Sequence, residues 1–231
     1  LNNMKIFLIV LISLILIILI GYVYIHNKMI DTQEKSFKRL ESAEFKESPR
    51  HFTGFIALTE DSFWRLIDDS RAKNQESFDS QMDYLILQLS NMTDDEIIGF
   101  EKRLREKMIE LWNYNIKSLY QILFGKYLST DNFIYFRLWI ISNGKGFFYK
   151  AINNTDGLSN QIGKSYKTDG EAFMSISDRA FILKHNSVKV DSLPRDLSNE
   201  IDYDFGLYKM TGKYILPKDF KKYFPQLTKN F

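Results

Sequence analysis

Residues Ile6 to Ile25 form a run of twenty without a single charge, apolar on every side and with neither a helical nor an alternating period. At 1.5 Å per residue such a run makes a helix of about 30 Å, the thickness of a bilayer core. A lone strand would leave its backbone unsatisfied in lipid, so the many isoleucines do not change the reading. Tyr22 and Tyr24, just before His26 and Lys28, stand where an interfacial aromatic belt falls. A cleaved secretory signal has a shorter apolar core and a small-residue cleavage site, and Tyr22 to Lys28 offers none. Residues 1–25 are therefore expected to be a retained transmembrane anchor, with Met4 as the start and 1–3 as an extension.

Residues 26–58 read as a charged juxtamembrane linker in which both signs alternate along a thin stripe of Ile30, Phe37, Leu40 and Phe45. The helix is expected to continue out of the membrane and stop by Pro49. That stripe is too short and irregular for a dimerising coiled coil. The domain proper, 59–231, opens with Thr59 as a helix cap, Glu60 and Asp61 in the first turn, and Phe63, Trp64, Leu66 and Ile67 as the buried side.

A second helix is predicted over 75–90, with Phe78, Met82, Leu85, Ile86 and Leu89 at helical spacing. Thr93-x-x-Glu96 is a capping box for a third. Its stripe of Ile97, Phe100, Leu104, Met108 and Leu111 assigns Glu101, Lys102, Arg103, Arg105, Glu106 and Lys107 to an outer face. Further helices are predicted over 114–124, ending at Gly125, then from after Ser129-Thr130-Asp131 to near Gly144, over 147–153 and over 169–184. The one after Ser129-Thr130-Asp131 is apolar nearly all round, so it belongs in the centre. Val188 to Val190 hints at a strand. The tail, with Pro194, Pro217 and Pro225, reads as extended with one turn at 218–223. The expected fold is all-α: a single transmembrane helix, then a compact multi-helix globular domain with an extended C-terminal tail.

Composition supports this. Nineteen Phe, 13 Tyr and 3 Trp supply a generous core, and 11 Gly with 4 Pro leave few obligatory breaks. A net charge of +2, from 31 basic and 29 acidic residues, lacks the basic excess of a nucleic-acid binder. The absence of cysteine excludes disulfides, thiolate metal sites and Cys nucleophiles. Lys28, Lys35, Lys38 and Arg39 outnumber Lys5 across the apolar run, which places the domain on the cytoplasmic side.

Several segments together resemble the family catalogued as domain of unknown function 4240. They are Phe63-Trp64-Arg65-Leu66-Ile67-Asp68, Leu111-Trp112-Asn113-Tyr114, and the run from Ser129 through Phe136-Arg137-Leu138-Trp139 to Gly144-Lys145. Asp156-Gly157-Leu158 and Phe224-Pro225-Gln226-Leu227 also fit, so the similarity spans roughly 59–231. The resemblance implies a bacterial helical domain with no established reaction. It also implies a Gly-Gly-Cys-Ser-Asp-Asp run before the Phe-Arg-x-Trp segment. This chain has Gly125-Lys126-Tyr127-Leu128-Ser129-Thr130-Asp131 there, without the Cys and with Thr130 in place of one acid.

The leading site candidate is Arg137 with Asp131, flanked by Trp64, Trp112 and Trp139. Arg137 among aromatics suits fork-like capture of a carboxylate or phosphate. Pairing with a structural acid such as Asp68 is the plainer alternative. Asp131, six residues away on the same helix, does not face Arg137 and serves more simply as a first-turn acid. Gly163-Lys164-Ser165 lacks the first glycine and the preceding strand of a phosphate loop. His26, His51 and His185 have no metal-ligand spacing, so no metal and no cofactor is implied. Asp68-Asp69 could do acid–base work only if buried and split in pKa, and Asp94-Asp95-Glu96 is explained by capping. No Gly-x-Ser-x-Gly elbow marks a hydrolase. The sequence thus leans away from an enzyme. It favours a membrane-held, non-catalytic module for a protein partner, in one version an immunity-type protein, with the lipid bilayer as its other partner. The alternative is an enzyme or a binder of small anions using a cleft near Arg137 and Asp131.

Overall fold

Residues 1–43 and 44–231 form two separate units in a computed structural model. It describes residues 2–42, 56–74, 77–125, 127–162, 170–186, 192–203 and 208–231, without the side chains of part of the first helix. Pro49, His51, the Gly163-Lys164-Ser165 run and the strand hint at Val188 to Val190 lie outside the described residues, as do the side chains of Phe37, Leu40 and Phe45.

The first unit is one helix, α1 (Asn2–Ser42). Its window Leu11–Thr32 has a mean hydropathy of 1.8 over 22 residues, none of them buried, and is long and apolar enough to cross a bilayer. Past the apolar part the helix carries ordinary water-facing devices. Lys35 pairs with Asp31 at 2.6 Å one turn back, and the Thr32 hydroxyl donates to the Lys28 carbonyl at 2.9 Å.

The second unit begins its regular structure at α2 (Glu60–Lys73), capped by the Thr59 hydroxyl, which accepts the Ser62 N–H at 3.3 Å. Helix α3 (Phe78–Ser90) starts at a Ser77 cap, later than the predicted 75. Helix α4 (Asp94–Glu110) carries the full capping box. Thr93 accepts the Glu96 N–H, and the Glu96 carboxylate accepts the Thr93 N–H at 2.9 Å. Helices α5 (Tyr114–Phe124), α6 (Thr130–Ser142) and α7 (Lys145–Asn153) follow. A 3₁₀ turn, Thr155–Asn160, was not foreseen. The segment predicted as a helix over 169–184 divides into a 3₁₀ turn, Glu171–Ser175, and α8 (Ile176–His185).

Helix α6 is central as its all-round apolarity requires. Phe133, Phe136, Leu138, Trp139, Ile140 and Ile141 are all buried. At the start of the domain the chain lies directly over α4, the Leu58 N–H donating to the Gly99 carbonyl at 2.8 Å. A Cβ on Gly99 would sit 2.7 Å from the Ile56 carbonyl oxygen, so only glycine permits this approach.

One expectation needs correction. The supposed outer face of α4 is not outside: Glu101, Lys102, Arg105 and Lys107 are all buried. The tail is part of the cause. It carries α9 (Pro194–Leu197), then a 3₁₀ turn (Pro217–Asp219) and α10 (Phe220–Tyr223) where the one turn is expected, and α11 (Leu227–Asn230). Helices α8 and α9 pack on α4 beside Glu101 and Arg105, while Lys107 is covered from α2 and α7. The covered charges are answered there. Glu101 pairs with Arg105 at 2.8 Å and accepts the Ser177 hydroxyl, Arg105 also donates to the carbonyls of Ile201 and Arg195, and Lys102 pairs with Glu200. A buried charge is tolerated only with such partners.

Candidate functional site

The three tryptophans mark three places. Trp112 belongs with Arg137, whose residue is fully buried. The guanidinium lies over the Trp112 and Phe133 rings, 5.3 and 5.2 Å from their centres. It donates to the Met108 carbonyl at 2.9 Å, to Tyr203 at 3.3 Å and to Phe133 at 3.4 Å. Carbonyls of α4, α6 and the tail therefore meet on one side chain, which makes Arg137 a tie between elements. Asp131 is exposed in the first turn of α6, where its charge complements the helix dipole, and does not join Arg137. Asp68 is not the acid beside Arg137 among the described hydrogen bonds; its Oδ1 accepts the Lys145 N–H at 3.0 Å, at the start of α7.

Trp64 lies in a second cluster, built on Lys107. The Lys107 ammonium is 2.7 Å from Glu110, 3.2 Å from Glu60 and 3.3 Å from the Tyr149 hydroxyl, with the Trp64, Phe148 and Tyr149 rings around it. Tyr149 donates to Glu60, as does the Trp64 indole at 3.3 Å. Burial works against the Glu60 carboxylate. The hydrogen bonds from Tyr149 and Lys107 and the Lys107 charge outweigh it, holding its pKa at about 2. Burial raises the Tyr149 pKa, and the bond to Glu60 adds to the rise. This cluster joins α2, α4 and α7, with every polar head facing a partner.

Trp139 leads to the third place, an open cavity of about 700 Å³ where α2 ends, α3 begins and α6 ends. From α2 and its cap come Asp68, Arg71 and Asn74; from α3 and its cap, Ser77, Phe78 and Gln81; from α6 and its cap, Trp139, Ser142 and Asn143. Gln81 is buried and donates from Nε2 to the Ser142 carbonyl at 2.9 Å and to the Ser70 hydroxyl at 3.3 Å. Asn74 donates to the Ser70 carbonyl at 3.0 Å. Asn143 donates to the Trp139 carbonyl at 2.8 Å and accepts a hydrogen bond from Arg71 Nη1. Burial lowers the Arg71 pKa, and the Asp68 charge partly restores it. Gly144, at φ +90, lets the chain turn from α6 into α7 beside Asp68; a Cβ there would meet Asp68 Oδ1 at 2.2 Å.

The family described as protein of unknown function, DUF4240, matches residues 58–182, more than half of the 231-residue chain. The chain belongs to this family. The matched stretch opens at the cap of α2 and closes inside α8, so the DUF4240 region contains the Lys107 cluster and the cavity whole, and Arg137 with Trp112. Phe224-Pro225-Gln226-Leu227 lies beyond it. No curated protein and no solved structure matches the chain.

Sequence reasoning named Trp139 but missed Arg71, Asn74, Gln81 and Asn143. One signal was present: Gln81 falls on the apolar stripe of α3, one turn after Phe78 and beside Met82. A carboxamide on a buried stripe needs partners, and one of them, Ser142, lines the cavity.

Proposed function

We propose that this is a single-pass membrane protein whose helical domain is a non-catalytic binding module for a protein partner at the same membrane. One observation carries the binding part: a cavity of about 700 Å³ whose polar walls are already fixed in place by hydrogen bonds to α2, α3 and α6. Its volume is that of a ligand pocket, and preformed walls lower the ordering cost of association. Its two charged groups suit recognition better than proton transfer. Asp68 is tied to the Lys145 amide, and a guanidinium does not deprotonate in the physiological range. The apolar window of α1 supports the membrane part, and the basic residues from Lys28 to Arg39 support a cytoplasmic domain.

Alkaline carbonate extraction of native membranes tests the anchor: the chain stays in the pellet, and release into the supernatant would overturn the reading. Affinity isolation of the full chain from detergent extract tests the module. A stoichiometric partner is retained by the full chain; recovery of the chain alone, with the fold intact, would count against it. An immunity-type role is the version in which that partner is a toxin.

A further inference from the structure

We propose that the α2–α3–α6 cavity receives a carboxylate carried on an apolar body, with Arg71 gripping the carboxylate and Phe78 and Trp139 flanking the body. The proposal rests on the reading of the domain as a binding module and names the chemistry that the module recognises.

Arg71 supplies the first part. A guanidinium has five N–H donors arranged as a fork that matches a carboxylate. Among the described residues, one hydrogen bond, from Nη1 to Asn143, draws on that fork. The other donors belong to a head that lines the cavity. Asn143 is itself held by the Trp139 carbonyl, so Arg71 is positioned by a fixed partner before any guest arrives.

Charge selects among anions. Asp68 lines the same cavity one turn before Arg71, and its charge acts on the guanidinium. Asp68 and Arg71 balance each other in the cavity, so any anion adds net negative charge beside Asp68. A carboxylate adds one such charge and a phosphate dianion two, and like charges at close range cost free energy, so the monoanion is the less opposed guest. Lys145, whose backbone N–H meets Asp68, has its ammonium 3.2 Å from Asp61 and is already engaged.

The walls supply the rest. Phe78 and the largely buried Trp139 are the two aromatic residues of the lining, while Asn74, Gln81 and Asn143 give it carboxamides. Two aromatic residues set among placed polar groups suit a ligand with a small apolar body and several hydrogen-bonding groups. Either a free small carboxylic acid or the C-terminal carboxylate of a partner chain has this chemistry.

The test is a titration of the full chain in detergent micelles, labelled with ¹⁵N at tryptophan. The probes are N-acetyl-L-phenylalanine, its C-terminal amide and 3-phenylpropionate. The expected result is a saturable shift of the Trp139 indole signal with the acids and not with the amide, while Trp64 and Trp112 stay put. Arg71→Gln weakens acid binding by roughly tenfold or more, the size of a lost charge-assisted hydrogen bond. Tighter binding of N-acetyl-L-phenylalanine than of 3-phenylpropionate marks a chain terminus as the natural source, and the reverse order marks a free acid. Equal binding of acid and amide, or no movement at Trp139, overturns the proposal without using a variant. If a partner protein is isolated equally with wild type and Arg71→Gln while the acids fail to bind, the module reading stands and this one falls. If the acids bind and no partner is found, the reverse holds.

Discussion

Gln81 of α3 donates its side-chain N–H to the carbonyl of Ser142, 2.9 Å away at the last turn of α6. The final carbonyls of a helix have no partner within it, and here a side chain distant in sequence supplies one. The same amide reaches the Ser70 hydroxyl on α2, so a single carboxamide joins three helices behind the cavity. Gln81→Leu keeps the volume but abandons the Ser142 carbonyl in a buried setting. The expected loss is about 2 kcal/mol, a fall in Tm of roughly 4–8 °C for a domain of this size. An unchanged melting curve by circular dichroism would show that the bond contributes nothing.

Arg137 gathers carbonyls from α4, α6 and the tail beneath Trp112. Arg137→Met fills similar space but leaves those carbonyls unsatisfied, with an expected loss of about 3 kcal/mol or more. Arg137→Lys recovers only part of it, because one ammonium cannot copy the planar fork. The urea midpoint is the measurement. Wild-type stability in Arg137→Met would point back to a ligand role for this side chain.

Glu60 is held at a pKa of about 2. A carboxyl depressed in the folded state adds stability above its unfolded value, near 4.3, and that stability drains away as pH falls through the folded value. Glu60→Gln is therefore expected to cost about 1 kcal/mol at neutral pH, after discounting for the part of Glu60 that faces water. The deficit shrinks between about pH 5 and pH 2. Guanidinium unfolding of both proteins across that range checks it; a deficit that stays constant with pH would rule out the ionic origin.

Gly144 and Gly146 make a paired experiment on α7. Gly144 has φ +90 and would place a Cβ against Asp68, whereas Gly146 has open space around it. Gly144→Ala is expected to cost roughly 1–3 kcal/mol and to speed amide exchange at Lys145, whose N–H loses its acceptor. Gly146→Ala is expected to be neutral or to gain up to about 1 kcal/mol, as alanine favours a helix. Equal effects at the two positions would contradict this account of the turn.

Much of the fold was legible in the sequence. The Thr59 and Thr93 caps, the Gly125 stop and the all-round apolarity of α6 are local signals, and each led to the observed element. Misplaced boundaries fell where local signals compete. The Ser77 cap overrode a start at 75, and a 3₁₀ turn took the first residues of the segment before α8. The candidate site was less legible. Trp139 was named, but Arg71 and Asn143 lie 72 positions apart and meet only because α2 and α6 converge.

The sequence by itself determined the apolar window of α1, the helical class of the domain and the family to which it belongs. These depend on hydrophobic period, caps and short motifs, which act within a few residues of chain. Only the tertiary structure decided that the charges of α4 lie inside, that Arg137 is a tie between elements, and that a polar cavity opens beside Trp139. Burial of a charge depends on what covers it, and on α4 the cover comes from distant parts of the chain, α8 and α9 over Glu101 and Arg105, α2 and α7 over Lys107. Helical periodicity tells which residues share a face, but only packing tells whether that face meets water.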